Sequence, residues 1–227
     1  MTPTTLRTFL TFSLLEGVTE DDIKPLNLRP VRRSISAGEV IIDREDTSCD
    51  VYFLASGRVL AVYWTEDGRE MIFGRIGVGS YFGEMAALDS NGRSLSIYAH
   101  RDTDVLVLSQ AEFLRLIDQI PAVRARVFAD LVCRIREMIE RNYQTASLSV
   151  EMRVRAYLVR LGLEVGALIN GGEIREAPTH LEIANSVGSN REAVSRVMAD
   201  LKRSGIIECG RQRISFTQPG LLVDQVM

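Results

Sequence analysis

The sequence predicts an α+β chain built from an N-terminal β-roll, a long helix and a C-terminal winged helix-turn-helix. Three observations carry this reading. Short apolar bursts split by turn residues fill the stretch from Val31 to Leu108. Helical periodicity then runs from Gln110 to about Ala146, and a capped turn around Gly188 is followed by a hairpin pattern. A chain of 227 residues suits two modest domains, or one with a connecting element.

Taken in order, Leu6, Phe9, Leu10, Leu14 and Leu15 predict a short opening helix, and Thr19 with Asp22 caps a second. The β region holds Val40-Ile41-Ile42, Val51 to Leu54, Val59 to Trp64, Met71-Ile72-Phe73 and Val105 to Leu108. Between them lie turn signals at Ala37-Gly38, Ser56-Gly57, Asp67-Gly68, Gly77-Val78-Gly79 and Asn91-Gly92; strands so short and so spaced make a barrel or roll. Pro121 fits a first-turn position after a break at Ile120. Val127, Leu131, Ile135, Met138 and Asn142 then recur close to heptad spacing, which predicts a dimer seam; a helix packed on its own domain gives a similar pattern. Val150 to Val165 is a further helix, Ile169 to Gly172 a loop, and Thr179 with Glu182 a capping box opening the helix that ends at Val187. Gly205 stops the following helix, and Ile206 to Cys209 and Arg213 to Phe216 flank Gly210-Arg211-Gln212 as a hairpin, hence a wing.

Composition excludes several classes. The net charge of −3 gives no global signal for nucleic acid, but Arg191, Arg196, Lys202, Arg203, Arg211 and Arg213 outnumber Glu192, Asp200 and Glu208 in the C-terminal stretch. Cys49, Cys133 and Cys209 are scattered, which predicts reduced thiols, a cytoplasmic protein and no iron–sulfur cluster. Cys133 reads as a small hydrophobe on the seam. With His100 and His180 the only histidines, neither a metal site nor a haem site is expected. No apolar run approaches the roughly 20 residues that span a bilayer, and the N-terminus lacks a signal-peptide pattern. No nucleophile has a histidine at a spacing that suggests catalysis, so the chain is not expected to be an enzyme.

The C-terminal chemistry points to double-stranded DNA. Gly188 gives the freedom a tight interhelical turn needs, and Ser189 with Glu192 reads as the cap of the second helix. Arg191, Glu192 and Arg196 fall on one face and Val194 and Val197 on the other. An Arg there suits the O6/N7 edge of guanine, and a Glu the N4 amine of cytosine. Thr179, His180, Ser189, Asn190 and Ser195 complete the candidate DNA-binding set. A protein-interaction module is the alternative from another class.

In the β region, Phe82-Gly83-Glu84-Met85 is followed by Arg93-Ser94, ten and eleven positions after Gly83. Gly83 lets backbone approach a ligand, a short helix from Glu84 points amides at an anion, and Arg93 suits a phosphate. Glu84 would accept from a sugar hydroxyl. The same two side chains would also make a plain exposed ion pair.

This run resembles the phosphate-binding cassette of cyclic-nucleotide-binding domains. The order β-roll, long helix, winged helix-turn-helix resembles the cyclic-AMP receptor protein (Crp/Fnr) family of bacterial transcription regulators, over essentially the whole chain and including Ala37 to Ile41 and Ser56 to Val59. The resemblance implies a cyclic-nucleotide-binding roll (1–118), a dimerisation helix (119–147) and a DNA-binding domain (148–227). It implies Glu84 on the ribose 2′-hydroxyl, Arg93 on the cyclic phosphate, and Gly83, Met85 and Ser94 beside them. It also implies Arg191, Glu192 and Arg196 on a TGTGA-like palindrome, a homodimer through residues 121–146, and RNA polymerase as a partner. Ile169 to Glu173 aligns with the family's polymerase loop without matching its residues. The Thr-Ser pair that meets adenine is replaced by Met138 and Ile139, while Glu137 or Glu140 suits a base edge, so cyclic GMP stands beside cyclic AMP as effector. A vestigial pocket, with DNA bound constitutively or under another effector, is the remaining alternative. Family turns usually carry Gly where Glu45 stands.

Overall fold

The computed structural model describes residues 3–65 and 70–223; the Asp67-Gly68 turn lies outside the described residues. The chain divides into two compact units, Met1–Ile135 and Arg136–Met227.

The first unit opens with α1 (Pro3–Phe9), which ends before Leu14 and Leu15; these occupy a separate 3-10 turn instead of extending the helix. In α2 (Glu20–Ile23) the expected Thr19–Asp22 capping box is present. Among the described residues eight strands follow: β1 (Val31–Ile35), β2 (Val40–Ile42), β3 (Val51–Ser56), β4 (Val59–Trp64), β5 (Glu70–Ile76), β6 (Tyr81–Phe82), β7 (Ser96–Ala99) and β8 (Thr103–Leu108). α3 (Glu84–Asp89) interrupts them, and α4 (Gln110–Gln119) and α5 (Pro121–Ser147) come after. The strands form two antiparallel sheets, in the orders β1-β8-β3-β6 and β2-β7-β4-β5.

The unbroken apolar runs now have a physical reason. On β3, Tyr52 and Leu54 face the core between the sheets, with Val105 and Val107 of β8 and Ile42, Val59 and Ile97 opposite. Val51 and Phe53, with Leu106 and Leu108, face a second core made with the helices. A strand buried on both faces reads as continuously hydrophobic. The turn at Glu45 needs no glycine: Asp43 Oδ1 accepts from the Glu45 amide at 3.0 Å, and Glu45 has no positive φ.

α5 joins this second core through Val123 and Val127, with Leu131 partly buried against it. Burying each valine is worth about 1.5–3 kcal/mol. Val127 and Leu131 are thereby committed to their own roll, which corrects the seam read from the sequence. Ile135 of that seam stays exposed at 56%, and before it the outward row moves by one residue, from Val127 and Leu131 to Phe128 and Val132, which are 59% and 49% exposed. Cys133 is exposed as well, not a packed hydrophobe.

The second unit contains α6 (Val150–Glu164), β9 (Glu173–Arg175), α7 (His180–Val187), α8 (Arg191–Arg203), β10 (Ile207–Gly210), β11 (Arg213–Phe216) and α9 (Pro219–Val223). Val154, Leu158, Ile183, Val194, Met198, Leu201 and Phe216 make its core. The expected hairpin pairs Gly210 with Arg213, and β9 adds a third strand in the order β10-β11-β9. The sequence reading missed β9 and α9, each too short to show periodicity. Arg155, 6% exposed, ties α6 to α9. Its Nε and Nη2 donate to Glu151 Oε1 at 3.0 and 2.8 Å, and its Nη1 donates to the Leu221 carbonyl at 3.3 Å. Arg155→Ala is expected to lower stability by about 2 kcal/mol through these charge-assisted bonds. Urea unfolding checks this; an unchanged midpoint would show that α9 docks by its apolar contacts alone.

Candidate functional site

In the first unit, the two-residue pairing Tyr52↔Phe82 and Phe53↔Tyr81 brings the end of β6 beside β3. The chain turns there at Gly83, with φ 87°. A Cβ on Gly83 would sit 2.8 Å from both Arg93 Nη1 and the Asp50 carbonyl oxygen, so only glycine lets the guanidinium close on the backbone. α3 begins at the next residue, as read from the sequence.

Arg93 is 7% exposed. Its Nη1 donates to the Gly83 carbonyl at 3.0 Å, and its Nη2 donates to Ser48 Oγ and the Asp50 carbonyl, each at 3.0 Å. The guanidinium carbon lies 6.0 Å from the centroid of Tyr52, which stacks on Phe82. All three acceptors are neutral. Among the described residues no carboxylate is ion-paired with Arg93, and its buried Nε has no hydrogen-bond partner. A buried cation whose acceptors are all neutral, with an idle donor and only the longer-range Glu84 charge to balance it, is electrostatically incomplete. An anionic oxygen at that edge would complete it.

Glu84, 2% exposed, does not pair with Arg93; it forms an ion pair with Arg134 of α5. That overturns the surface-pair alternative, because both side chains are buried and each has other partners. Burial raises the Glu84 pKa, and the Arg134 charge opposes the rise. The Ser94 hydroxyl points to Met85 Sδ at 3.7 Å, and Met85 is half exposed. Gly83, Glu84, Met85, Arg93 and Ser94 are thus brought together, with Ser48, Asp50 and Arg134 added by the fold. Met138 and Ile139 are exposed on α5 in the second unit.

In the second unit, α7 carries the Thr179–Glu182 capping box and starts at His180. It ends at Gly188, whose φ of 62° and ψ of 50° place it in the left-handed region. The Ser189 amide donates back to the Ala184 carbonyl at 3.0 Å, which closes the turn. The cap of α8 is therefore Asn190, whose side chain accepts from the Ala193 amide at 2.8 Å, and not Ser189 as the sequence suggested. The Thr179 hydroxyl is occupied in its own box. His180 Nδ1 lies 2.9 Å from Ser195 Oγ and ties the start of α7 to the middle of α8. Arg191, Glu192 and Arg196 are exposed on α8, while Val194 is buried and Val197 partly buried against the core. The expected division of faces holds.

The matches to known proteins agree with both halves. Residues 32–120 match the cyclic nucleotide-binding domain family, and residues 152–224 match the Crp-like helix-turn-helix domain family. The chain is 32% identical over 192 residues to the cyclic AMP receptor protein of Thermus thermophilus, covering 84% of this chain and 86% of that one. It is 29% identical over 190 residues to the cAMP-activated global transcriptional regulator Vfr of Pseudomonas aeruginosa, covering 82% and 89%. Among solved structures, FixK2 from Bradyrhizobium japonicum superposes with a TM-score of 0.75 at 21% identity, covering 88% of this chain and 98% of that one. The c-di-GMP-responsive global regulator CLP of Xanthomonas campestris superposes with a TM-score of 0.74 at 22% identity, covering 87% and 99%. The chain therefore belongs to the Crp/Fnr family of DNA-binding transcription regulators, carrying a cyclic nucleotide-binding domain and a Crp-like helix-turn-helix, and it is not an enzyme.

Proposed function

We propose that the chain is a homodimeric regulator that reads a TGTGA-like palindrome under the control of a cyclic nucleotide, cyclic AMP ahead of cyclic GMP. The observation that carries this reading is the buried Arg93 with its idle Nε beside Gly83. Arg93 and the Gly83 turn suit the cyclic phosphate, and Glu84 suits the ribose 2′-hydroxyl. The relatives named for cyclic AMP favour that nucleotide. Residues 1–118 would hold the ligand, 119–147 would join the two copies, and 148–227 would bind DNA. Three cysteines outside any disulfide among the described residues fit a cytoplasmic location, and RNA polymerase is the partner expected of a regulator of this family.

The ligand's role is that of a population shift. A dimer grips a palindrome only when its two recognition helices stand about 34 Å apart, one turn of DNA. A nucleotide that binds the competent arrangement more tightly raises its share, and no other property of the ligand does so. On α8, Arg191 and Arg196 suit guanine edges and Glu192 suits cytosine. The Ser195 hydroxyl is engaged by His180, so Ser195 supports the helix in place of reading a base.

The test is fluorescence anisotropy of a labelled TGTGA-type palindrome at fixed salt, without ligand and with cyclic AMP or cyclic GMP. A rise in affinity with one nucleotide supports the switch and identifies the base. Tight binding unmoved by either would mark a constitutive regulator or one with another effector. In the same assay, Arg191→Ala is expected to cost about 1–3 kcal/mol and to relax preference at one guanine. An equal loss on every sequence would make Arg191 a phosphate contact.

A further inference from the structure

The pocket is joined to α5 by more than the Glu84–Arg134 ion pair. Tyr81 sits on β6, two residues before Gly83, with its ring buried against Phe53 and Phe113 at centroid distances of 5.9 and 6.2 Å. Its phenol donates to Asp130 Oδ2 at 3.0 Å. Its carbonyl oxygen accepts from Arg134 Nη2 at 3.4 Å, and its ring lies 5.6 Å from the Arg134 guanidinium carbon. Asp130 and Arg134 are four apart on α5 and so share a face. One tyrosine therefore meets Arg134 twice and anchors the helical turn on which Arg134 stands. Burial and the Asp130 carboxylate both push the phenol pKa up, so the phenol keeps the proton it donates.

We propose that the Tyr81–Asp130 hydrogen bond is a strut that sets Arg134 against Glu84 and passes pocket occupancy to α5. Tyr81 is a positioning residue, because it acts through Arg134; the proposal rests on the cyclic-nucleotide reading above. Arg134 has a long side chain, 42% exposed, with ample freedom to leave Glu84. The strut fixes the base of that side chain, so a ribose hydroxyl arriving at Glu84 must be met by a shift of the guanidinium or of the helix. The same two turns carry Phe128, Val132 and Ile135 on the opposite face. Because a helix moves as a stiff body, displacing the Asp130–Arg134 face displaces that row too. Sequence alone did not show this: Tyr81 and Asp130 are 49 residues apart.

The experiment is a four-corner binding cycle on the full chain. Cyclic AMP affinity is measured with and without the palindrome, which gives the factor by which each ligand strengthens the other. Tyr81→Phe keeps the buried ring and removes only the hydroxyl. It is expected to cut the coupling factor by about 5- to 10-fold, against a usual allosteric range of 5- to 150-fold, with nucleotide-free DNA affinity unchanged. Asp130→Asn keeps an acceptor oxygen for the phenol and is expected to retain most of the coupling. Asp130→Ala is expected to match Tyr81→Phe, and the double variant Tyr81→Phe/Asp130→Ala to lose no more than either alone. Wild-type coupling in Tyr81→Phe would overturn the strut and leave the bond as packing. Equal losses in Asp130→Asn and Asp130→Ala would overturn it as well, assigning the effect to the Asp130 charge. Absence of coupling in the wild-type chain would instead refute the cyclic-nucleotide reading itself.

Discussion

Arg93→Ala is expected to weaken cyclic AMP binding by about 30- to 5,000-fold, from the 2–5 kcal/mol that truncating one side of a buried charge pair costs. The size follows from where the cation sits. Arg93 is almost wholly buried, yet its three acceptors, the Gly83 and Asp50 carbonyls and the Ser48 hydroxyl, are neutral. The nucleotide phosphate would be the one full negative charge hydrogen-bonded to it, the Glu84 carboxylate acting on it only at longer range. Without ligand the buried charge is itself a cost, so removing it returns part of what the lost hydrogen bonds take away. Nucleotide affinity should therefore fall far more than folding stability. Arg93→Lys separates charge from shape: it keeps the cation and loses the planar fork, and should land between the two. Titration calorimetry with cyclic AMP, alongside a thermal melt, measures both quantities. Normal affinity in Arg93→Ala would place the phosphate elsewhere.

How much of this was legible in the sequence depended on the range over which each feature is decided. Gly83, the α3 start at Glu84, Pro121 at the head of α5 and the Thr179 capping box are local, and they are found where the sequence puts them. Arg93 and Glu84 were legible as a pair of types at a spacing, but not as to partners. Ser48, Asp50 and Arg134 reach them across 45, 43 and 50 residues of chain, and no local rule joins such positions. The Asn190 cap shows two good local signals in competition. Ser189 satisfies the capping-box spacing with Glu192, but its amide is used to close α7, so α8 begins one residue later. β9 was invisible for a different reason: three residues carry no periodicity, and Glu173–Arg175 becomes a strand only because β11 is beside it.

The seam on α5 has the same origin and the greater consequence. Both rows, Val127/Leu131 and Phe128/Val132, are apolar at the spacing of a helix face, and the sequence cannot say which one the roll takes. The structure gives the first row to the roll and leaves Phe128, Val132 and Ile135 exposed, with Ile139 exposed at the next step of the spacing. Large apolar side chains repeating at three and four residues, half exposed or more, mark a face that water does not suit. A second copy of the same helix fits it by symmetry, since a two-fold contact sets each row against itself. Ile135→Asp is therefore expected to give a folded monomer. The side chain is 56% exposed, so the isolated fold loses little, while two carboxylates would face each other across the axis. Palindrome affinity should fall by roughly 10²- to 10⁴-fold, the gain that linking two binding modules supplies. Single half-site binding should persist at its own weak level, because α8 is untouched. Sedimentation equilibrium reports the assembly state and anisotropy on full and half sites reports the binding. A variant that stays dimeric would move the interface off this row, and a monomer that still grips the full palindrome tightly would mean that the two half-sites are not read together.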